Sequence, residues 1–374
     1  MMSYIPSHLR HMNKQVVFNL LKTEGPSSCV LISKATGMSE PTVHKVVDEL
    51  ESSGLIEPVK DFESKAIGRK PQMIKIKADA FYTIGIILEG DYVRAGILNL
   101  EGKLLHAVTV FTDAPFNQIV SHLKKIIDGL LQETHIAVES LGGMGIGFPG
   151  ILSDDYQTLS FAPLLKILDT TSISFISQEL TDYYHVPVLF ENDVNMSVIG
   201  EYHYLNMKNG DLLYISLGTG FGAGLIIDGK LRYGNAHRCG EIGYTTFDSH
   251  YVADEKKPGW LEEQLSHRAL QRKFALNPFA LEQTNRQEII DYISPLIAMC
   301  VSNINALLDC PNVRIGGMIA HFLGTPLVDA INEKLRVLTR FDLQVLPQAA
   351  PDSGVLGAAH LICNHVVGRR LKEN

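Results

Sequence analysis

Residues 83–105, TIGIILEGDYVRAGILNLEGKLL, and residues 213–231, LYISLGTGFGAGLIIDGKL, follow one plan: an apolar strand, a glycine-bearing turn, and a second strand ending in near-identical text, AGILNLEGKL and AGLIIDGKL. A chain that repeats a β-hairpin at this distance, with helix-patterned stretches such as FNQIVSHLKKIIDGLLQ and RQEIIDYISPLIAMCVSNINALL between and after the copies, is constrained to two α/β lobes around a cleft. Ligands of such sheets sit where the lobes face each other. The turns differ. The second, Gly218-Thr219-Gly220, offers backbone N–H groups to a phosphate; the first holds Glu89, Gly90 and Asp91.

Ahead of the repeat, three short helices are expected. NKQVVFNLLKTEG places Val16, Val17, Leu20 and Leu21 on one face. SSCVLISKATG has Ser28 as N-cap and Gly37 at its end, and MSEPTVHKVVDELESSG has Ser39 as cap, Pro41 in the first turn and an apolar stripe of Val43, Val46, Val47 and Leu50. This spacing resembles a DNA-binding helix-turn-helix. Ser39, Pro41, Thr42, His44 and Lys45 lie off the stripe, where a major groove is contacted. Two strands around the basic tip Gly68-Arg69-Lys70-Pro71 read as a wing, with Arg69 and Lys70 as phosphate or minor-groove contacts. A trihelical interaction module with solvated charges is the blander alternative.

Charge is distributed accordingly. Residues 1–77 hold 11 Lys+Arg against 8 Asp+Glu, and the remainder 22 against 33, within a net −8. Only the head is suited to a polyanion. The expected division is a head over residues 1–77 and a body over 78–374. No apolar run approaches the roughly 18 residues of a membrane span and the N-terminus lacks a signal peptide's apolar stretch, so a cytoplasmic protein is expected. Five cysteines with no C-x-x-C pair indicate neither a disulfide framework nor a zinc knuckle.

In the body, GFPG (147–150) is a glycine-rich turn, ENDVN (191–195) ends a buried strand in amide and carboxylate groups suited to a polyol, GEIG (240–243) and Glu262 add acceptors, and Gly316-Gly317 follows a further strand. With GRKP, LGTGFGAG and PDSGVLGAA (351–359), these motifs stand in the order of the ROK family (repressors, open reading frames and sugar kinases), which the chain resembles over nearly its whole length. The resemblance implies an actin-like (ribonuclease H-like) two-lobed sugar-kinase fold behind a winged helix-turn-helix. It also implies an effector pocket formed by Gly147, Asn192, Asp193, Glu241, Tyr244 and Glu262.

The departures matter as much. Family kinases carry D-x-G-G-T in the first turn; Ile87 to Asp91 put an apolar residue in place of the acid and Glu89 in place of the first glycine. A carboxylate about 4 Å from a phosphate oxygen costs on the order of 4 kcal/mol at an effective dielectric of about 20. Gly218, Thr219 and Gly220 are therefore expected to be a vestigial phosphate loop. Asp193 matches the kinases' catalytic base but serves equally as a hydrogen-bond acceptor in a non-enzyme. Tyr244 replaces the His that follows G-E-I-G in relatives, the cysteines of their zinc segment are missing, and no metal or cofactor is expected. Ala162 to Leu168, APLLKIL, lacks the Asn that relatives carry after Ala-Pro, so altered selectivity, even for a phosphorylated sugar, is open. The expectation is a non-enzymatic, sugar-responsive DNA-binding repressor acting as a homodimer or dimer of dimers on double-stranded operator DNA. The rival readings are an ATP-dependent sugar kinase with an accessory DNA-binding head, and a constitutive DNA-binding protein.

Overall fold

The computed structural model describes residues 6–59, 72–90, 92–112, 115–254, 257–277 and 285–373. The basic tip with Arg69 and Lys70, and Asp91 of the first turn, lie outside them.

The head begins with α1 (Pro6–Glu24), followed by β1 (Ser27–Ser28), α2 (Cys29–Thr36), α3 (Glu40–Ser52), β2 (Ile56–Pro58) and β3 (Met73–Ile76). Ser28 caps α2 through Leu31 N at 3.4 Å, and Gly37 ends it at φ 73°, a left-handed value that glycine adopts without strain. Ser39 caps α3 through Thr42 N, and Val43, Val46, Val47 and Leu50 are buried, as their spacing predicts. β1 and β2 pair antiparallel with the two sides of β3, so the three-stranded sheet extends the helices into a winged fold. One expectation fails: Val16 is 43% exposed, and the buried face of α1 is Val17, Phe18 and Leu21.

The first lobe runs β4 (Tyr82–Leu88), β5 (Tyr92–Asn99), β6 (Leu104–Phe111), α4 (Ile119–Thr134) and β7 (Leu141–Phe148). A small sheet, β8 (Ile151–Leu152), β9 (Thr158–Ser160) and β10 (Thr171–Ser172), precedes α5 (Ser174–Tyr184) and β11 (Val188–Asn192). After the linking α6 (Asp193–Tyr204), the second lobe runs β12 (Leu212–Leu217), β13 (Phe221–Ile227), β14 (Lys230–Leu231), α7 (Glu262–Leu265), α8 (His267–Phe274), α9 (Arg286–Leu308), β15 (Asn312–Gly316), α10 (Met318–Leu323), α11 (Thr325–Leu338) and β16 (Gln344–Pro347). The chain closes with α12 (Ser353–Glu373).

The textual repeat is a structural one. The sheets are ordered β6-β5-β4-β7-β11 and β14-β13-β12-β15-β16, each with an antiparallel three-strand meander followed by two parallel strands. This duplicated arrangement is the actin-like fold. α4 buries Leu123, Ile127 and Leu130 against the first sheet, and α9 buries Ile289, Ile293, Ile297 and Val301 against the second. By length and hydropathy α9 also satisfies the composition of a membrane span, which the sequence reading overlooked; half of that window is buried inside the lobe.

Helix α12 ties the parts together. Its first half lies on Gly85 and Gly145, where any Cβ would overlap the carbonyls of Val355 and Ala358. It crosses α6 through Gly200 and Gly357, each abutting the other helix's backbone. Its second half supplies Ile362, Cys363, Val366, Val367 and Leu371 to the hydrophobic cluster that contains Val17, Leu21, Val43 and Leu50 of the head.

Candidate functional site

Two surfaces carry chemistry. On the head, Pro41, His44 and Lys45 are exposed opposite the buried stripe of α3, and the hydroxyls of Ser39 and Thr42 lie 2.8 Å apart at its N-terminus. Glu49 of the same helix accepts from Arg10 Nε at 2.8 Å and pairs with Lys14 at 3.4 Å, so α1 and α3 are held as a unit. The buried Lys14 ammonium also donates to the Leu371 carbonyl at 3.2 Å, which no sequence pattern announces.

In the cleft, β7 and β11 run parallel and register Gly147 with Glu191 and Phe148 with Asn192, delivering GFPG and ENDVN side by side. Asn192 stands at the N-cap of α6: its Oδ1 accepts from Val194 N at 2.9 Å and Asn195 N at 3.1 Å, and its Nδ2 donates to the Gly150 carbonyl at 3.0 Å. Its amide oxygen is thus committed to structure, leaving one N–H for a ligand. Gly147 has a packing reason too, because a Cβ would meet Ile87 Cδ1 at 2.6 Å and Asp193 Cα at 3.2 Å. Asp193 occupies the first turn of α6 and accepts from Val194 N at 3.0 Å. Burial, then the nearby Glu89 carboxylate, lift its pKa well above the ordinary carboxylate range.

Glu89 closes the first hairpin, its N–H bonded to the Tyr92 carbonyl at 2.9 Å, and its Oε2 accepts from Tyr92 Oη at 2.7 Å. Burial raises its pKa against the lowering effect of that bond. The sequence reading treated Glu89 as a plain negative charge; the structure adds that it fills the turn as a fixed, hydrogen-bonded group and carries charge only above a raised pKa. Ile87, which stands where the resemblance places the kinases' acid, and its neighbour Leu88 are buried.

From the second lobe come Glu241, its pKa raised by burial against Arg238, and Glu262, pushed up to about 7 by burial and then by Glu241. Glu262 reaches the phosphate-type turn: a Cβ on Gly220 would lie 3.1 Å from its Oε1. Gly218 N bonds the Gly220 carbonyl at 3.0 Å, and Gly218 O accepts from His267 N at 3.1 Å. Tyr244 is 46% exposed, its ring 6.3 Å from that of Phe161. Gly316 makes room for the Tyr214 hydroxyl and Gln348, a packing role. Among the described residues no group of three or more His, Cys, Asp or Glu side chains is gathered as a metal site.

The sequence places Glu191 at the end of its strand without disclosing that it is an anchor. Glu191, 3% exposed, accepts from Tyr233 Oη at 3.0 Å, Asn192 N at 2.8 Å and Asn195 Nδ2 at 3.0 Å, with Tyr156 Oη at 3.4 Å. Tyr233 stacks on His237 with ring centroids 4.9 Å apart, so an aromatic wall flanks the ENDVN turn. The pocket between Gly150, Glu191, Asn195, His237 and Glu241 measures about 40 Å³, room for a few water molecules.

Comparison with known proteins agrees with this anatomy. A ROK family profile matches residues 83–365, and a winged helix-turn-helix DNA-binding profile matches residues 14–57. The chain is 30% identical over 266 residues to a xylose repressor of Caldicellulosiruptor bescii, covering 70% of this chain and 65% of that protein. It is 27% identical over 246 residues to the xylose repressor of Bacillus subtilis, covering 64% and 62%. The matches thus span slightly less than two thirds of those relatives' lengths. Among solved structures, a ROK family transcriptional regulator described as a homologue of the E. coli MLC protein superposes with a TM-score of 0.76 at 18% identity, over 98% of this chain and all of that one. A ROK family glucokinase from Streptomyces griseus, in complex with glucose and AMPPNP, superposes with a TM-score of 0.64 at 25% identity, over 75% and 98%. With its duplicated lobes, its winged head and a family match over most of its length, the chain belongs to the ROK family.

Proposed function

We propose that the protein is a sugar-responsive transcriptional repressor. The head, residues 1–77, binds double-stranded operator DNA through Ser39, Pro41, Thr42, His44 and Lys45 of α3 and through the basic wing tip. The body, residues 78–374, binds a carbohydrate between its lobes through Asp193, Glu241, Tyr244, Glu262 and the remaining N–H of Asn192. The single observation that carries this reading is the pairing of an exposed α3 face with a kinase-type cleft whose first phosphate turn is occupied by Glu89, itself held by Tyr92. The relatives named xylose repressors make D-xylose the first sugar to test. The protein acts in the cytoplasm as a homodimer or dimer of dimers, matching a palindromic operator.

Phosphate transfer is not its activity on this reading. In the family's kinases glycine backbone at the first turn approaches the nucleotide phosphates; here Glu89 fills that turn and buried Ile87 stands in place of the acid. Asp193 then serves as an acceptor for a sugar hydroxyl. The test pairs two measurements on the full chain: binding to its own promoter fragment with and without D-xylose and other sugars, and ATP consumption across the same panel. Sugar-dependent change in DNA affinity with no turnover is expected. Sustained turnover overturns the reading in favour of the kinase, and DNA binding indifferent to every sugar favours a constitutive binder.

A further inference from the structure

A second cavity, of about 730 Å³, lies where α1 of the head meets α6 and α12, away from the cleft. That volume is in the range of small-molecule sites. Its walls carry Asn19 and Lys22 from α1, His203 from α6, and His360 and Asn364 from α12, with Met207 at one side. Lys22 is half-buried, and among the described residues its ammonium meets only the Cys363 thiol, at 3.8 Å; no carboxylate is within ion-pairing distance. The charged residues lining the cavity are Lys22, Lys208 and Glu101, and Lys208 is already engaged by Glu24 at 3.1 Å. A recessed cation with no counter-ion gains substantially when an anion arrives.

The surrounding groups suit an anion with hydroxyls. His203 and His360 stack with centroids 3.4 Å apart, and His360 Nε2 is 2.8 Å from Asn364 Nδ2. Both imidazoles are held below the ordinary histidine pKa, His203 by desolvation of its ring and then Lys22, although part of the residue is exposed, and His360 by desolvation, then His203, then Lys22, so they are neutral donors and acceptors beside the Lys22 charge. The exposed Asn19 adds an amide to the same wall.

We propose that this cavity is a second ligand site, taking a small hydroxylated anion, a sugar phosphate or a sugar acid, and that its occupant bridges α1 to α6 and α12. The bridge spans the head and the two helices that run back to the cleft, so the occupant sets the head's attitude. The chemistry is shared by phosphate esters and carboxylates.

Calorimetric titration of the full chain with glucose 6-phosphate and with gluconate, and with glucose as neutral control, tests the site and separates the two sources. Both the wild type and Asp193→Asn should bind at least one anion at one site per chain. Lys22→Met should weaken that binding about tenfold or more, the loss of one charge-assisted contact. Lys22→Gln serves as a second variant if the first fails to melt as the wild type does. Binding that survives both Lys22 variants undiminished, binding abolished by Asp193→Asn, or no binding of either anion overturns the proposal. The first two outcomes leave the cleft reading intact, since that reading is judged by sugar-dependent DNA affinity.

Discussion

Glu262 is burdened by its burial and by its second-lobe neighbour Glu241. Its pKa, pushed from 4.5 to about 7, means the folded state holds a proton that the unfolded chain releases above about pH 4.5. The stability linked to this group is fully present below pH 4.5 and is lost as pH rises through about 7, and Glu89, Glu241 and Asp193 act in the same direction. Glu262→Gln should therefore stabilise the protein at pH 8 by about 1 to 3 kcal/mol and flatten part of the decline between pH 4.5 and 7, as read from denaturant titrations across pH. Asn192→Ala removes the α6 cap and the Gly150 tie together, and should cost about 1 to 2 kcal/mol in the same measurement even with no sugar present. The ENDVN motif was legible as a site, but the division of labour within it was not. Glu191 draws its tyrosine partners from 35 and 42 residues away, and no local spacing encodes such contacts.

At the scale of elements, periodicity located α3, α4 and α9, each of which buries a regular stripe, and caps located α2, which buries only Ile32. Helix α12 was legible only as a signature. It is apolar on several sides, touching the first sheet, α6 and the head in turn, so no single face marks its destination. The residues just before it anchor its start: Asp352 of the PDSG text pairs bidentately with Arg94 of β5 at 2.7 and 3.0 Å, and the fully buried Glu201 of α6 accepts from Ala349 N at 2.7 Å and Ala350 N at 2.9 Å. Leu371, 2% exposed, closes the head's core from below. Leu371→Asp places a charge there and should destabilise the head by about 3 kcal/mol or more, splitting the thermal melt into a lowered head transition and a nearly unchanged body transition. Calorimetry on the full chain checks it; a melt unshifted from the wild type would count against the helix as a support of the head.

Across the whole molecule, the two proposed functions are linked by a short mechanical path. The cleft sits at the N-terminus of α6, α6 crosses α12 at glycines, and α12 ends inside the head. On the proposed reading, a sugar bound beside Asn192 and Asp193 acts at the start of that path. For a useful switch the coupling needs to be about 1 to 3 kcal/mol. Asp352→Asn, which loosens the Arg94 clamp, should leave sugar affinity within a factor of about three while reducing the sugar-induced change in DNA affinity, measured by fluorescence anisotropy. A parallel salt titration addresses the head: replacing Arg69 and Lys70 with alanine should weaken binding to all DNA sequences and lower the salt slope by about 1 to 2.

The core beneath α1 and α3 also bears on transplantation. Five of its apolar members come from residues 362–371, so the first 77 residues, lifted out alone, carry an unfinished interior. A chimera that joins this reader to a foreign sensor would have to take α12 with it, so that residues 362–371 complete the reader's interior.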